Sequence, residues 1–235
     1  MVVAIIAILV SILMPSLRRA RELAKTASCS IQMRNIMLAM TMYTEDNDHR
    51  WPGFVFEHVS DCPGSDHPAT PHWHQQWSPF FGTSSPSSGD CPGLLSGKWL
   101  DPEQLFCPDG FAKKIGKWGS YSANVYILYN DNLGPPYGRR VFKTSIPQPS
   151  ATLLFVEEEE NCLDNEHFAV RTGLWVNMIA SRHGRGANMS FVDLHVEYWK
   201  WTWPSTGVYT IQNAPDPGNP DLDRINRAQE PPHVP

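Results

Sequence analysis

At 235 residues the chain is long enough for one ordinary domain with appendages and too short for two large catalytic domains. Apolar residues make up 41% and nine Trp are present, which excludes intrinsic disorder through the middle of the chain. With 19 Lys plus Arg against 24 Asp plus Glu the net charge is −5, so no basic surface argues for a nucleic-acid partner.

Residues 1–17 read MVVAIIAILVSILMPSL, without a charge, and Arg18, Arg19 and Arg21 follow at once. Val2, Ile5, Ile6, Ile8, Leu9, Ile12 and Leu13 leave this run no polar stripe and so no face to show to water. At about 1.5 Å per residue it spans about 25 Å, just short of a hydrocarbon core of about 30 Å. It reads as a marginal membrane helix, with a buried core helix as the plainer alternative. A secretory signal would need a basic start and a small-residue cleavage site, and neither precedes the arginines. On the charge rule alone the arginines would lie on the cytoplasmic side.

Helical spacing continues through Leu17, Ala20, Ala24, Ala27, Ile31, Leu38 and Met42, predicting one helix to about Glu45, roughly 65 Å long. Pro15 removes one backbone donor and predicts a kink rather than a break. The apolar front belongs in a membrane or a helix bundle, and the striped rear half has a face to lay on a globular body. Residues 1–46 are thus a membrane or assembly helix, 47–203 a β-rich body with a loop-rich insertion over 54–96, and 204–235 a Pro- and Asp-rich tail or late excursion. The 21 Pro and 16 Gly favour short strands and many turns. Strands are predicted over 121–129, 151–157, 173–179, 187–192 and 195–203, giving an antiparallel sheet on which the helix can pack.

Chemistry-bearing residues are few. Asp193, His195 and Glu197 alternate, so on a strand they share one face and offer ligands for a divalent ion, with His183 as a fourth. A plain solvated strand face is the simpler expectation. His67, His72 and His74 near Asp61, Cys62 and Asp66 form a second candidate metal cluster, against a polar loop. Glu157, Glu158, Glu159 and Glu160 offer oxygen ligands of the kind Ca²⁺ takes, although a solvated strand end is expected there. No bound cofactor is otherwise implied. G-x-S-x-G, a P-loop, H-E-x-x-H and a Rossmann glycine pattern are all missing from the sequence, so no enzyme is expected. Along residues 198–203, Trp199, Trp201 and Trp203 alternate with Tyr198, Lys200 and Thr202. They predict core packing against the helix in preference to a sugar-stacking platform.

The segment AIIAILVSILMPSLRRARELAKTASCSIQMRNIMLAMTMYTEDND resembles the N-terminal helix of type IV pilin-like proteins. Later stretches extend the likeness to the bacterial pseudopilin-like proteins named for a C-terminal H-X9-DG motif. Phe106, Cys107, Pro108 and Asp109 are similar to that family's F-x-C-P-x-D turn, and Ser120, Tyr121 and Asn124 to its S-Y-x-x-N. Residues 146–150 with 152–157 resemble its Pro-Ser turn and buried strand. His183, Asn188, Asp193, His195 and Glu197 follow its R-H-G-G-G-A-N…D-G-H-V-E ending, with nine residues between His183 and Asp193. Leu194 stands where the motif has Gly, which puts a tight hairpin there in doubt.

The resemblance implies an α+β pilin-type fold and a structural subunit that polymerises with other pilin-like subunits into a pilus-like filament or type II secretion pseudopilus. Its partners would be the inner membrane, the secretion or pilus assembly machinery, and prepilin peptidase once a leader is restored. The family's basic leader and mature F-T-L-I-E-L start are not in the sequence, and a late-assigned start codon is the expected reason. With the leader restored, the body lies in the periplasm or at the cell surface. The different reading, carried by the Trp and His segments, is a membrane-anchored surface module that binds polysaccharide or metal. The family also implies that Cys29 and Cys107 pair, in an oxidising compartment. Cys62 and Cys91 would then close the insertion, leaving Cys162 single.

Overall fold

The computed structural model describes residues 2–46, 100–117, 119–128, 146, 148–163 and 167–229. Helix α1, Val2–Asp46, continues through Pro15. Ser11 and Ser16 lie within its apolar front and donate back to Ile8 O and Leu13 O at 2.7 Å, so neither hydroxyl needs an outside partner. Every described side chain from residue 2 to residue 24 is exposed, so the front half of α1 stands clear of the body. Among the described residues no helix is both long and apolar enough to cross a membrane. The uncharged run, with Val2, Ile5, Ile6, Ile8, Leu9, Ile12, Leu13 and Pro15, gives way too soon to Arg18 and Arg19. The expected membrane-spanning helix is therefore not found.

The body is α+β with a mostly antiparallel sheet. Its strands are β1 (Tyr121–Asn124), β2 (Leu153–Glu157), β3 (His167–Phe168), β5 (Gly186–Phe191) and β6 (Val196–Lys200), in the order β3-β1-β2-β5-β6. Only β1 and β3 run parallel. A helical turn, α2 (Val125–Leu128), follows β1 where a longer strand was expected, because Asn124 Oδ1 accepts from Tyr126 N at 3.0 Å and turns the chain. The short pair β4 (Leu174–Trp175) and β7 (Ala214–Pro215) forms a second, two-stranded sheet.

Strands β2 and β5 are buried at every residue, which requires cover on both faces of the sheet. The rear half of α1 covers one face, packing Cys29, Met33, Ile36, Met37 and Met40 with Leu105, Tyr121, Phe155 and Val192. On the other, Trp175, Met178, Trp199 and Trp201 pack with Leu222 and Ile225 of helix α3 (Pro220–Gln229). The stretch expected as a tail therefore folds back as far as residue 229. Its signals are local: Asn219 Oδ1 accepts from Asp221 N and Leu222 N, Pro220 occupies the first helical turn, and Asp221 and Asp223 oppose the helix dipole. The side chain of Asp221 then ties α3 to the end of β6 by accepting from Thr202 N, Trp203 N and Thr206 Oγ1.

Two sequence expectations are corrected. The stripe Leu17, Ile31, Leu38, Met42 does not lie on the body, since these residues are 50–61% exposed. At about 100° per residue, Met33, Ile36, Met40 and the stripe occupy opposite sides of the helix. Residues 25–46 carry apolar groups on two faces, and periodicity alone does not say which of them meets the sheet. The Glu157–Glu160 end of β2 is not a solvated strand end either: Glu157, Glu158 and Glu160 are fully buried. Each is held by donors brought from far along the chain.

Candidate functional site

Two features stand out: the free apolar surface of α1, and the polar seam that fixes its rear half to the body.

The seam begins at Lys25, whose ammonium pairs with Asp109; the hydrogen bond and the attraction of that carboxylate raise the Lys25 pKa. Four residues on, Cys29 is bonded to Cys107, the pairing the family resemblance implies. Tyr121 Oη donates to Gln32 Oε1 at 2.8 Å. Burial, and then the charge of Glu157, push that phenol well above its usual value, so it remains a donor. Asn188 Nδ2 donates to Thr26 O at 3.3 Å. Body residues from Cys107 to Asn188 thus converge on one turn-by-turn attachment of α1.

Behind the disulfide lies a largely buried polar cluster. His183 Nε2 is 3.4 Å from Cys107 Sγ and 3.3 Å from Glu157 Oε1, and its Nδ1 is 3.7 Å from Asp109 Oδ2. Asn188 donates to both oxygens of Glu157, from Nδ2 at 2.9 Å and from its backbone N at 3.2 Å. Beside it, Ser120 Oγ donates to Glu160 Oε1 at 2.6 Å and accepts from Cys107 N at 3.1 Å. Arg182 NH1 lies 3.3 Å from Glu160, and Phe111 N donates to the same carboxylate. These donors are what allow buried carboxylates at the end of β2.

His183 reaches this cluster through a strained backbone. His183, Gly184 and Arg185 have φ of 58°, 76° and 68°, a left-handed loop closed by Gly186 N donating to Arg182 O at 2.9 Å. Left-handed conformations in consecutive residues cost free energy for the non-glycines, and burial of the imidazole is what holds His183 there.

The other motif residues separate from His183. Pro108 is exposed beside the bridge. Asn124 Nδ2 donates to Leu153 O and Gln229 O at 2.8 Å, joining β1 to β2 and α3. Asp193, His195 and Glu197 do share a face, but they pair with one another: His195 Nδ1 is 2.5 Å from Asp193 Oδ1 and Nε2 is 3.4 Å from Glu197 Oε1. His195 also stacks on Phe191 with ring centroids 4.2 Å apart, and Trp199 Nε1 donates to Glu197 at 2.7 Å. His183 is not a fourth member of that set. The turn between β5 and β6 forms without glycine, with Leu194 at φ 76° and its N donating to Phe191 O at 2.9 Å. Trp199 and Trp201 are buried in the core beneath α3, so they present no stacking platform, while Trp203 is 39% exposed. Cys162 is buried and lies outside the Cys29–Cys107 bridge. Cys62, Cys91, His67, His72 and His74 lie outside the described residues.

Sequence reasoning did not single out Lys25, took Arg182 only as the residue that opens the His183 motif and not as the partner of Glu160, and did not give the inward direction of Glu157 and Glu160. A run of four carboxylates following a fully apolar strand, with Arg182 immediately before the motif His183, was the available signal. Comparison with protein-family models, curated proteins and solved structures finds no match for this chain.

Proposed function

We propose that the chain is a pilin-like structural subunit that polymerises through α1, with no chemistry of its own. One observation carries this reading: α1 has an exposed apolar surface, uncovered by the other described residues, from Val2 to Met42. In the front half that surface surrounds the helix, and in the rear half it narrows to the stripe Ile31, Leu38, Met42 on the side away from the sheet. Isolated exposed Leu and Ile residues are ordinary, but a helix-long seam of them is not. A second copy of the same helix matches it in length and in the absence of charge over residues 2–17. Burying such a seam between copies removes it from water at about 25 cal/mol per Å². Before assembly the apolar front would rest in the inner membrane and present the body outside the cytoplasm, where the Cys29–Cys107 bridge is stable. Prepilin peptidase, for a chain bearing a leader, and the pilus or secretion machinery are the partners this reading requires. The rigid seam of disulfide, Lys25–Asp109 pair and Tyr121–Gln32 hydrogen bond then serves to hold each body at a fixed angle to the assembled helices.

Electron microscopy of surface and shear fractions, with an antibody against the body, tests the reading. Labelled filaments are expected; a chain that stays monomeric at the membrane under filament-forming conditions would overturn it.

A further inference from the structure

We propose that Cys29, Cys107, His183 and Glu157 form a site for a thiophilic divalent cation of the zinc class, open while the Cys29–Cys107 bridge is reduced and closed once it is oxidised. This inference does not depend on the assembly reading.

The four residues are buried, and each contributes one ligand atom to a group whose members all lie within 4.8 Å of one another. Two sulfurs, an imidazole nitrogen and a carboxylate oxygen are a donor set that zinc accepts in tetrahedral sites. The spacing agrees. With metal–sulfur bonds of about 2.3 Å and metal–nitrogen or –oxygen bonds of about 2.0 to 2.1 Å, the edges of such a tetrahedron that meet the imidazole nitrogen are about 3.3 to 3.6 Å, and its sulfur–sulfur edge, open only once the bridge is reduced, is about 3.8 Å. His183 Nε2 stands 3.4 Å from Cys107 Sγ and 3.3 Å from Glu157 Oε1.

The second observation is His183 Nδ1, buried without a hydrogen-bond partner among the described residues. An orphaned buried ring nitrogen costs free energy and asks for a reason. Asp109 Oδ2 lies 3.7 Å away on that side. With Nε2 on a cation, the ring must carry its proton on Nδ1, and a small closure delivers that proton to Asp109, the outer-shell arrangement that orients metal-bound imidazoles. Asn188 orients Glu157 in the same way from the other side.

Charge argues in the same direction. Reduction by a dithiol places two electrons and two protons on the S–S bond, leaving two thiols here and a disulfide in the reductant. A dication then displaces both thiol protons and offsets two of the three negative charges of the thiolates and Glu157, the third being spread over a carboxylate that Asn188 already holds by two hydrogen bonds. The newly made, still reduced chain would thus have α1 clamped to β2 and the His183 loop by the cation until thiol–disulfide exchange with a disulfide oxidant, which takes up the two electrons and leaves as a dithiol, closes the bridge and expels the ion.

The test uses the full chain with Cys62→Ser, Cys91→Ser and Cys162→Ser, so that only the bridge cysteines remain. Reduced with a phosphine under argon and titrated with Co²⁺ alone, it is expected to take up one ion with a thiolate-to-cobalt absorption band, displaced by Zn²⁺. The oxidised chain should give no band. Cys29→Ser or Cys107→Ser should weaken the band and Cys29→Ser with Cys107→Ser abolish it, while Asp109→Asn lowers affinity by about tenfold or more. Should reduction unfold the chain, one equivalent of Zn²⁺ must restore its near-UV circular dichroism. No thiolate band in the reduced chain, a band that survives loss of both cysteines, or an unfolded reduced chain that Zn²⁺ does not rescue would each overturn the proposal.

Discussion

Ile31 and Met33 are two residues apart on α1, yet Ile31 is 61% exposed and Met33 is fully buried. The helix thus carries apolar side chains on two faces, one of which meets the body. Replacing Met33 with Ala is expected to cost roughly 2 to 4 kcal/mol in urea unfolding, the usual penalty for a cavity in a packed core. Ile31→Glu should change stability by less than about 0.5 kcal/mol and prevent chain–chain association, read by sedimentation after detergent removal. Association that tolerates Ile31→Glu together with Leu38→Glu would count against the outer stripe.

The Cys29–Cys107 bridge closes a loop across 78 positions of sequence. Chain-entropy reasoning gives it about 4 kcal/mol of stabilisation. Cys29→Ser and reduction of the native chain should therefore lower stability in metal-free urea titrations by similar amounts, and the two should not add. Peptide mapping after thiol trapping in denaturant should find Cys29 and Cys107 protected until reduction, and Cys162 alkylated without it.

His167 pairs with Ala123 at the parallel edge of the sheet, and burial lowers its pKa from the ordinary 6.5 to about 3. The folded chain then refuses a proton that the unfolded chain accepts. Above pH 6.5 both forms are neutral and nothing is lost; as pH falls from 6.5 toward about 3, stability falls with it. By roughly pH 4 the loss from this group is about 3 kcal/mol. Denaturation midpoints measured across this range should be flatter for His167→Gln than for the native chain.

Leu194 occupies the left-handed turn between β5 and β6 while packing partly against the core under α1. Leu194→Ile keeps the hydrophobicity but adds a β-branch where the backbone tolerates it least, so a loss of roughly 1 to 2 kcal/mol is expected in thermal unfolding. Leu194→Gly trades relieved strain for lost packing and should lie nearer the native value.

His183→Ala should cost roughly 1 to 3 kcal/mol, since it leaves Glu157 short of a partner in a buried site. Asp193→Ala should cost less, because Asp193 sits at the surface and its pairing with His195 is screened. Equal losses at the two sites, by chemical denaturation, would contradict the difference in burial.

Long-period features were legible in the sequence. The uncharged front and helical spacing locate α1 to within a residue or so of its end, and runs such as Leu153–Glu157 read as buried strand. Which face of α1 meets the sheet was not legible, because Ile31, Leu38 and Met42 are as apolar as Met33, Ile36 and Met40. Burial of Glu157 and Glu160 was equally hidden: it depends on Asn188, Ser120 and Arg182, placed beside them only by the tertiary fold. Helix α3 was legible but outweighed, since Asn219-Pro220-Asp221 is a helix-start signal set in a Pro-rich stretch that reads as tail.

The most direct measurement is photo-crosslinking from the outer face of α1 in intact cells, with a benzophenone side chain placed at Leu38. Assembly through the helix predicts chain-to-chain adducts that map to α1 of a neighbouring copy. Adducts confined to lipid or to the chain's own body, with none between copies, would contradict it.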